Sequence, residues 1–220
     1  MATLIRYPGF TRRMRESWGS GEPFLRPFLT CAKGMPFAAR SLQTVIDFET
    51  AGTWSTAVRN PVSPAVGYLQ WMPDTASSLG TSSAAIAAMS PHEQFELVRR
   101  TFAVNASHLR ATQKDGVALV GDVYLAVWGP GYIGAPSSRE IARAGSKVFD
   151  QNPFKVATPG VLTVGDVRGA IERYHNAGIS TYGDLAVGAS GGAARKGSGG
   201  GGALAAFAAL GAGAMLWRSR

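Results

Sequence analysis

The clearest candidate for chemistry is a carboxylate within SLQTVIDFETAGTWS, residues 41–55. At helical spacing, three apolar residues share one face of this stretch: Leu42, Val45 and Ile46. The next position on that face is Glu49, whereas Asp47 projects to nearly the opposite side. Gly52 is a natural residue just past the end of such a helix. The spacing therefore predicts Glu49 on the buried side of a helix, near its C-terminus.

This environment bears on the chemistry of Glu49. Burial on an apolar face and a nearby helix C-terminus both favour the protonated form of a carboxyl, which is the form that a general acid needs. The following loop, RNPVSPAVGYLQ (59–70), is rich in Gly, Pro, Ser and Asn and is typical of a binding surface. The simpler interpretation is that Glu49 extends its carboxylate from the helix end into solvent.

The elements around this stretch are predicted to be mainly α. Five further segments have helical patterns: 72–80, 90–109, 120–128, 137–149 and 162–178. Ser90 and Glu93 form a capping box, Thr163 is a predicted N-cap, and Gly178 is predicted to end the last helix. Alternating strand patterns are absent, so the expected fold class is mainly α.

The chain divides into four predicted parts: a basic irregular arm (1–40), a domain (41–185), a Gly-rich flexible linker (186–202) and an apolar helix (203–217). Four apolar residues of the arm are expected to dock on a partner or on the domain itself: Phe24, Leu25, Phe28 and Leu29. Counted from Gly199, the apolar segment approaches the thickness of a bilayer. For 199–217, membrane insertion, packing on protein partners and a disordered tail all stay open.

The net charge of +8 is confined to the two ends of the chain. Residues 1–40 carry seven basic and two acidic residues, and residues 186–220 carry four basic residues and no acidic one. Residues 41–185 are close to neutral, so no specific nucleic-acid site is predicted. Cys31 is the only cysteine, which excludes an internal disulfide. The basic N-terminus, interrupted by Pro and Gly, does not predict a signal peptide.

Two stretches together, VIDFETAGTWS and NPVSPAVGYLQWMPDTASSLG, resemble the lytic transglycosylases related to goose-type lysozyme. That family has a catalytic Glu at a helix end, then an S-P-x-x-x-G-[LY]-[LMI]-Q loop, a P-x-T-A helix and a later A-x-Y-N-x-G-P-G segment, here LAVWGPGYIG. Phage members often continue into GSKV(Y/F)xQNP and (I/L)TVGDV, here GSKVFDQNP and LTVGDV. The resemblance covers about 42–178.

The resemblance implies a lysozyme-like domain that cleaves the β-1,4 bond between N-acetylmuramic acid and N-acetylglucosamine in peptidoglycan. Glu49 would be the catalytic residue, the product a 1,6-anhydro sugar, and no cofactor would be needed. The implied substrate-binding residues are Ser63, Gly67, Tyr68, Gln70, Trp128 and Tyr132. For several of these, packing in a turn or in the core is an open alternative.

The chain also departs from the family pattern. Trp128-Gly129 stands where many relatives have Tyr-Asn. This departure calls into question any contact that the Asn amide would make to the substrate or to Glu49. Lys155, Ala157 and Pro159 stand where relatives often have calcium ligands, so no metal site is predicted.

The resemblance to phage members predicts an enzyme carried in a virion, acting at the cell envelope during genome ejection. The predicted partners are glycan strands, virion proteins bound through the arm or the tail, and a membrane. One alternative is a structural virion or membrane-channel protein with a degenerate lysozyme-like domain. Another is a muramidase that uses water, and such an enzyme needs a second acidic residue near Glu49. Neither nearby candidate fits, because Asp47 faces away from Glu49 and Asp74 is explained as a helix cap.

Overall fold

The computed structural model describes residues 2–20, 24–152, 154 and 156–187. Its helices are α1 (Pro8–Ser20), α2 (Leu25–Ala32), α3 (Ala39–Glu49), α4 (Pro73–Ser78), α5 (Ser83–Ala88), α6 (Pro91–Val104), α7 (Ala106–Ala111), α8 (Val120–Trp128), α9 (Lys147–Asp150) and α10 (Val164–Tyr182). Its strands are β1 (Ala2–Ile5), β2 (Glu140–Arg143), β3 (Val161–Thr163) and β4 (Asp184–Val187). A 3-10 turn, Pro130–Tyr132, follows α8. The fold is mainly α, as the sequence predicts.

Helix α3 lies at the centre of the fold. Every residue from Ser41 to Thr50 is buried, and α3 packs against α2, α8, α10 and β1. Because this helix is enclosed on all sides, the polar residues opposite its apolar face must find partners inside the protein. Gln43 does so by bonding both backbone groups of Ile5, accepting from its N–H at 2.7 Å and donating to its carbonyl at 2.6 Å.

The N-terminal 40 residues are not an irregular arm, so that prediction is wrong for the described residues of this segment. Strand β1 pairs antiparallel with β4 at the other end of the described chain, with Leu4 opposite Leu185. Eleven apolar residues of the segment are buried in the core: Leu4, Ile5, Tyr7, Phe10, Met14, Phe24, Leu25, Phe28, Cys31, Ala32 and Phe37. Pro8, interpreted as a break, occupies the first position of α1, where proline is favoured.

Several predicted helix boundaries are confirmed. Helix α6 begins with the Ser90–Glu93 capping box, with both reciprocal hydrogen bonds present. Helix α8 spans the predicted residues 120–128. Helix α10 is capped by Thr163, whose side chain accepts from the backbone N–H of Asp166. These signals depend on neighbouring residues alone, which is why the sequence carries them.

Two local predictions are wrong. The segment 137–149 is not one helix but strand β2 followed by the start of α9, with β2 paired antiparallel to β3. Gly178 does not end α10, which continues to Tyr182 and ends at Gly183 with φ of +70°. Gly178 is instead a packing position, because a Cβ there would lie 2.5 Å from the hydroxyl oxygen of Tyr7.

The predicted linker begins at residue 186, but 186–187 belong to β4. The rest of the linker and the predicted apolar helix 203–217 lie outside the described residues. Among the helices that the structure describes, none combines the length and the hydropathy needed to span a bilayer.

Candidate functional site

Glu49 is the last residue of α3 and is only 6 % exposed. The preceding residue, Phe48, fixes this end of the helix through edge-on ring contacts. Its ring centroid lies 5.4 Å from that of Tyr124 on α8 and 5.2 Å from that of Tyr174 on α10. The carboxyl group is therefore on a helix end that two other helices hold in place.

The turn that follows Glu49, Thr50–Trp54, has an unusual backbone. Ala51, Gly52 and Trp54 have φ of +48°, +71° and +54°. Only the glycine adopts this region without strain, and each other residue costs about 1–3 kcal/mol. Hydrogen bonds to α3 and within the turn support it. The N–H of Gly52 donates to the carbonyl of Asp47 in α3 at 2.7 Å, and within the turn the N–H of Thr53 donates to the carbonyl of Thr50 at 3.0 Å. A turn with two strained residues persists only where surrounding contacts determine its shape.

Asp47 provides one of those contacts. It is 3 % exposed, and its two oxygens accept from different segments. Nε1 of Trp54 donates to Oδ1 at 2.5 Å, and the hydroxyl of Tyr174 donates to Oδ2 at 2.7 Å. Burial raises the pKa of Asp47 to about 6, although the hydrogen bonds from Tyr174 and Trp54 oppose that rise. Asp47 thus joins α3, the turn and α10.

A second polar group lies further towards the start of α3. Oγ1 of Thr44 lies 2.6 Å from Nδ1 of His175 and 3.2 Å from the hydroxyl oxygen of Tyr7. Burial, and then the nearby charge of Arg40, lower the pKa of His175 to about 4. Thr44, His175, Tyr7 and Asp47 thus form a set of buried polar side chains between the N-terminal segment, α3 and α10.

The loop between the turn and α4 is folded back on itself. Val66 and Trp71 exchange both backbone hydrogen bonds, at 3.2 and 2.9 Å, and the N–H of Gly67 donates to the carbonyl of Val58. Gln94 of α6 is fully buried and secures the loop. Its Oε1 accepts from the N–H of Tyr68 at 3.0 Å, and its Nε2 donates to the carbonyl of Thr56 at 2.7 Å.

Most of the predicted substrate-binding side chains in this loop point into the protein interior. The side chain of Tyr68 is buried, and its ring stacks on Phe95 at 5.1 Å. Gln70 is buried and donates to the carbonyl of Gly67 at 2.8 Å. Ser63 is half-buried, and its Oγ accepts from the N–H of Ala65 at 3.4 Å, a contact within a turn.

Gly67 has φ of +80°. Protein atoms surround the position that its Cβ would take, with Oε1 of Gln94 at 2.9 Å and Cγ2 of Ile86 also at 2.9 Å. Both the backbone conformation and the packing therefore require glycine. A close approach to a sugar stays a prediction for this residue.

The two aromatic residues predicted near the C-terminus of α8 differ in exposure. Trp128 is buried, and its Nε1 donates to Oδ1 of Asn152 at 3.1 Å. Tyr132 is half-buried, with its ring centroid 6.5 Å from that of Trp128. Asn152 belongs to the phage-like motif GSKVFDQNP, and Phe154, just after that motif, lies edge-on to Trp128 with ring centroids 5.9 Å apart.

No family model, curated protein sequence or solved structure matches this chain.

The other buried carboxylates among the described residues have structural tasks. Asp122 forms an ion pair with Arg168 at 2.6 Å, beside a cavity of about 440 Å³ that none of the predicted site residues lines. Asp166 caps α10 and accepts from the N–H of Ala157 at 2.8 Å. No cluster of three or more His, Cys, Asp and Glu suited to a metal occurs in the described part of the chain.

Sequence reasoning missed Asp47 and Gln94 as residues that shape the site. Both are polar side chains on helices that are rich in buried apolar residues. Gln94 did carry a signal, because Leu97, Val98 and Thr101 follow at the spacing of one helix face. Asp47 carried almost no signal. It lies opposite the predicted apolar face, and spacing alone gives no reason to expect a buried carboxylate on that side.

Proposed function

We propose that this protein is a peptidoglycan lytic transglycosylase in which Glu49 acts first as general acid and then as general base. The observation that carries the proposal is the position of Glu49. It is a buried carboxyl at the last residue of the central helix, directly before a strained turn and the loop that contains Gly67 and Gln70. The resembled family has the same order of helix, Glu and glycine-containing loop.

In the proposed reaction, Glu49 donates its proton to the oxygen that links C1 of N-acetylmuramic acid to the next N-acetylglucosamine. The bond between C1 and that oxygen breaks. The ionised carboxylate then removes the proton from the 6-hydroxyl of the same muramic acid residue, and this oxygen bonds to C1. Atoms balance without water, and Glu49 returns to its protonated form.

The remaining buried carboxylates support a mechanism with one catalytic carboxyl. Glycosidases that use water or a covalent intermediate need a second carboxylate near the first. Both oxygens of Asp47 accept hydrogen bonds from Trp54 and Tyr174, and Asp122 is paired with Arg168. An internal hydroxyl on the substrate replaces the second group through proximity.

The predicted substrate-binding residues fall into two groups by exposure, and we propose a different role for each group. Ser63 and Tyr132 are half-buried and are proposed to contact the glycan directly. Tyr68, Gln70 and Trp128 are buried and are proposed to shape the wall behind the glycan.

The proposed setting is a phage particle that brings the enzyme to the cell wall during genome ejection. Because β1, α1 and α2 each place apolar side chains in the folded core, contacts with virion proteins or a membrane are proposed for the chain beyond residue 187. Detection of the protein in purified virions is the expected result. Its presence in infected-cell lysate together with its absence from virions would contradict this setting.

The activity is tested with the full-length chain on purified peptidoglycan. Glu49→Gln keeps the shape of the side chain and removes its proton transfer, so release of soluble fragments should fall by roughly 10²–10⁴-fold. Glu96→Gln, on the partly exposed surface of α6, is the matched control and should retain activity. Equal activity of the Glu49→Gln variant would overturn the proposal.

A further inference from the structure

We propose that helix α1 is a positioning element of the candidate site: it holds the strained turn Thr50–Trp54 and thereby fixes the carboxyl group of Glu49. This inference rests on the proposed function for its catalytic consequence. It assigns a task to a segment that the sequence alone presents as an arm for partners.

The start of α1 is in direct contact with the turn. Gly9 is buried, and a Cβ on it would lie 1.9 Å from the carbonyl oxygen of Gly52 and 2.9 Å from Cδ1 of Trp54. The two backbones therefore touch with no side chain between them. Such an approach places α1 against the turn more closely than ordinary helix packing does.

Two arginines of α1 bond the backbone of the turn. Nη2 of Arg12 donates to the carbonyl of Thr53 at 2.9 Å, and Nε of Arg13 donates to the carbonyl of Trp54 at 3.0 Å. Charged donors make stronger hydrogen bonds than neutral ones. Glu16 lies 3.7 Å from Nε of Arg12 and 3.0 Å from Nη1 of Arg13, which favours the side-chain positions that reach the turn.

The side chain of Trp54 completes the contact. Its ring lies edge-on to Phe10 of α1, with centroids 4.9 Å apart, while Nε1 donates to Asp47 inside α3. Trp54 is thus held at its ring by α1, at its indole nitrogen by α3 and at its carbonyl by Arg13. This explains how a bulky residue keeps a φ of +54°.

The turn adjoins Glu49 directly, so its shape determines how α3 ends. If the contacts from α1 are lost, Ala51 and Trp54 can relax from the left-handed region, and the last turn of α3 shifts or frays. A displacement of about 1 Å at a reacting group can cost roughly 10²-fold in rate. Loss of α1 contacts should therefore lower the rate of the chemical step more than substrate binding.

The test uses a double variant of the full-length protein, Arg12→Met with Arg13→Met, which keeps side-chain length and removes the donors. The matched control is Arg15→Met, an exposed position on the same helix. Hydrogen exchange is measured at the amides of Gly52, Thr53 and Trp54, with α6 amides as internal reference. Values of kcat and KM are measured on soluble glycan strands.

In the double variant we expect at least roughly tenfold faster exchange in the turn and unchanged exchange in α6. We also expect kcat to fall roughly tenfold or more with KM within about twofold, and Arg15→Met to match the wild type. Unchanged exchange in the turn would overturn the inference, as would faster exchange with unchanged kcat. If the wild type proves inactive, the proposed function fails, while exchange alone decides whether α1 holds the turn.

Discussion

The indole nitrogen of Trp54 donates a 2.5 Å hydrogen bond to Oδ1 of Asp47, seven residues earlier in the chain. The bond ties the turn after Glu49 back to the interior of the helix that carries Glu49. Because Tyr174 of α10 binds the other oxygen of Asp47, one buried carboxylate joins three segments. The site is therefore built on the packing of α3, not on the loop alone.

Replacing Trp54 by Phe should destabilise the protein by about 1–3 kcal/mol, because a buried acceptor that carries charge when ionised loses its donor. Urea denaturation measures the change. Trp71→Phe is the matched control: it removes a 2.9 Å bond from Nε1 to Thr101, a neutral acceptor, and should cost less. A larger loss in the control would contradict the role assigned to Asp47.

Asp47 should make stability depend on pH. Its pKa rises from 3.8 to about 6 on folding, so the folded state binds the proton more tightly than the unfolded state. The resulting stabilisation is fully present below about pH 4 and is lost as pH rises through about 6. By linkage it amounts to about 3 kcal/mol at most.

The measured quantity is the unfolding free energy of the wild type minus that of Asp47→Asn, from pH 4 to pH 7. This difference should decrease as pH rises. His175, whose pKa burial lowers to about 4, acts in the opposite direction: its stabilisation is present above about pH 6.5 and is lost as pH falls. It contributes equally to both proteins and cancels. A difference that does not change with pH would show that Asp47 keeps an ordinary pKa.

Gly9→Ala should destabilise the protein although alanine favours helix formation. The added Cβ would meet the carbonyl oxygen of Gly52 at 1.9 Å, and overpacking of this kind costs about 1–3 kcal/mol. Gly169→Ala in α10 is the control, because the nearest atom there, at 3.1 Å, is the flexible end of Arg173. It should be neutral or stabilising by up to about 1 kcal/mol. Thermal unfolding of both variants checks the prediction.

A fragment that begins at residue 35 should not fold. It lacks β1, α1 and α2 and the ten buried residues counted from Leu4 to Ala32. At about 1.5–3 kcal/mol for each large apolar side chain, the loss exceeds the total stability of a typical domain, about 5–15 kcal/mol. Cooperative thermal unfolding of fragment 35–187, followed by circular dichroism, would contradict this expectation.

The sequence predicts those parts of the fold that depend on local signals. The capping box at Ser90, the N-cap at Thr163 and the apolar run 120–128 define their helices without help from distant residues. The position of Glu49 at a helix end follows from the same kind of pattern, with Gly52 just beyond it. The first 40 residues lack a clear period, and their apolar side chains acquire a role only when α3 and α6 are present.

Tertiary contacts explain the remaining differences. Gly178 resembles a helix end in sequence, yet its lack of a side chain accommodates Tyr7, 171 residues away. Asp47 lies opposite the apolar face of α3, and periodicity assigns that side to solvent. In the folded protein α10 and the N-terminal segment cover it. Neither arrangement can be inferred from spacing within one helix.

The proposed reaction is best tested by mass spectrometry of purified peptidoglycan digested by the full-length protein, with Glu49→Gln beside it. We expect 1,6-anhydro-muropeptides, lighter by one water than hydrolysis products, from the wild type and none from the variant. Reducing-end muropeptides would contradict it and indicate a hydrolase that activates water. The absence of soluble products from a protein that unfolds cooperatively would also contradict it and favour a structural role.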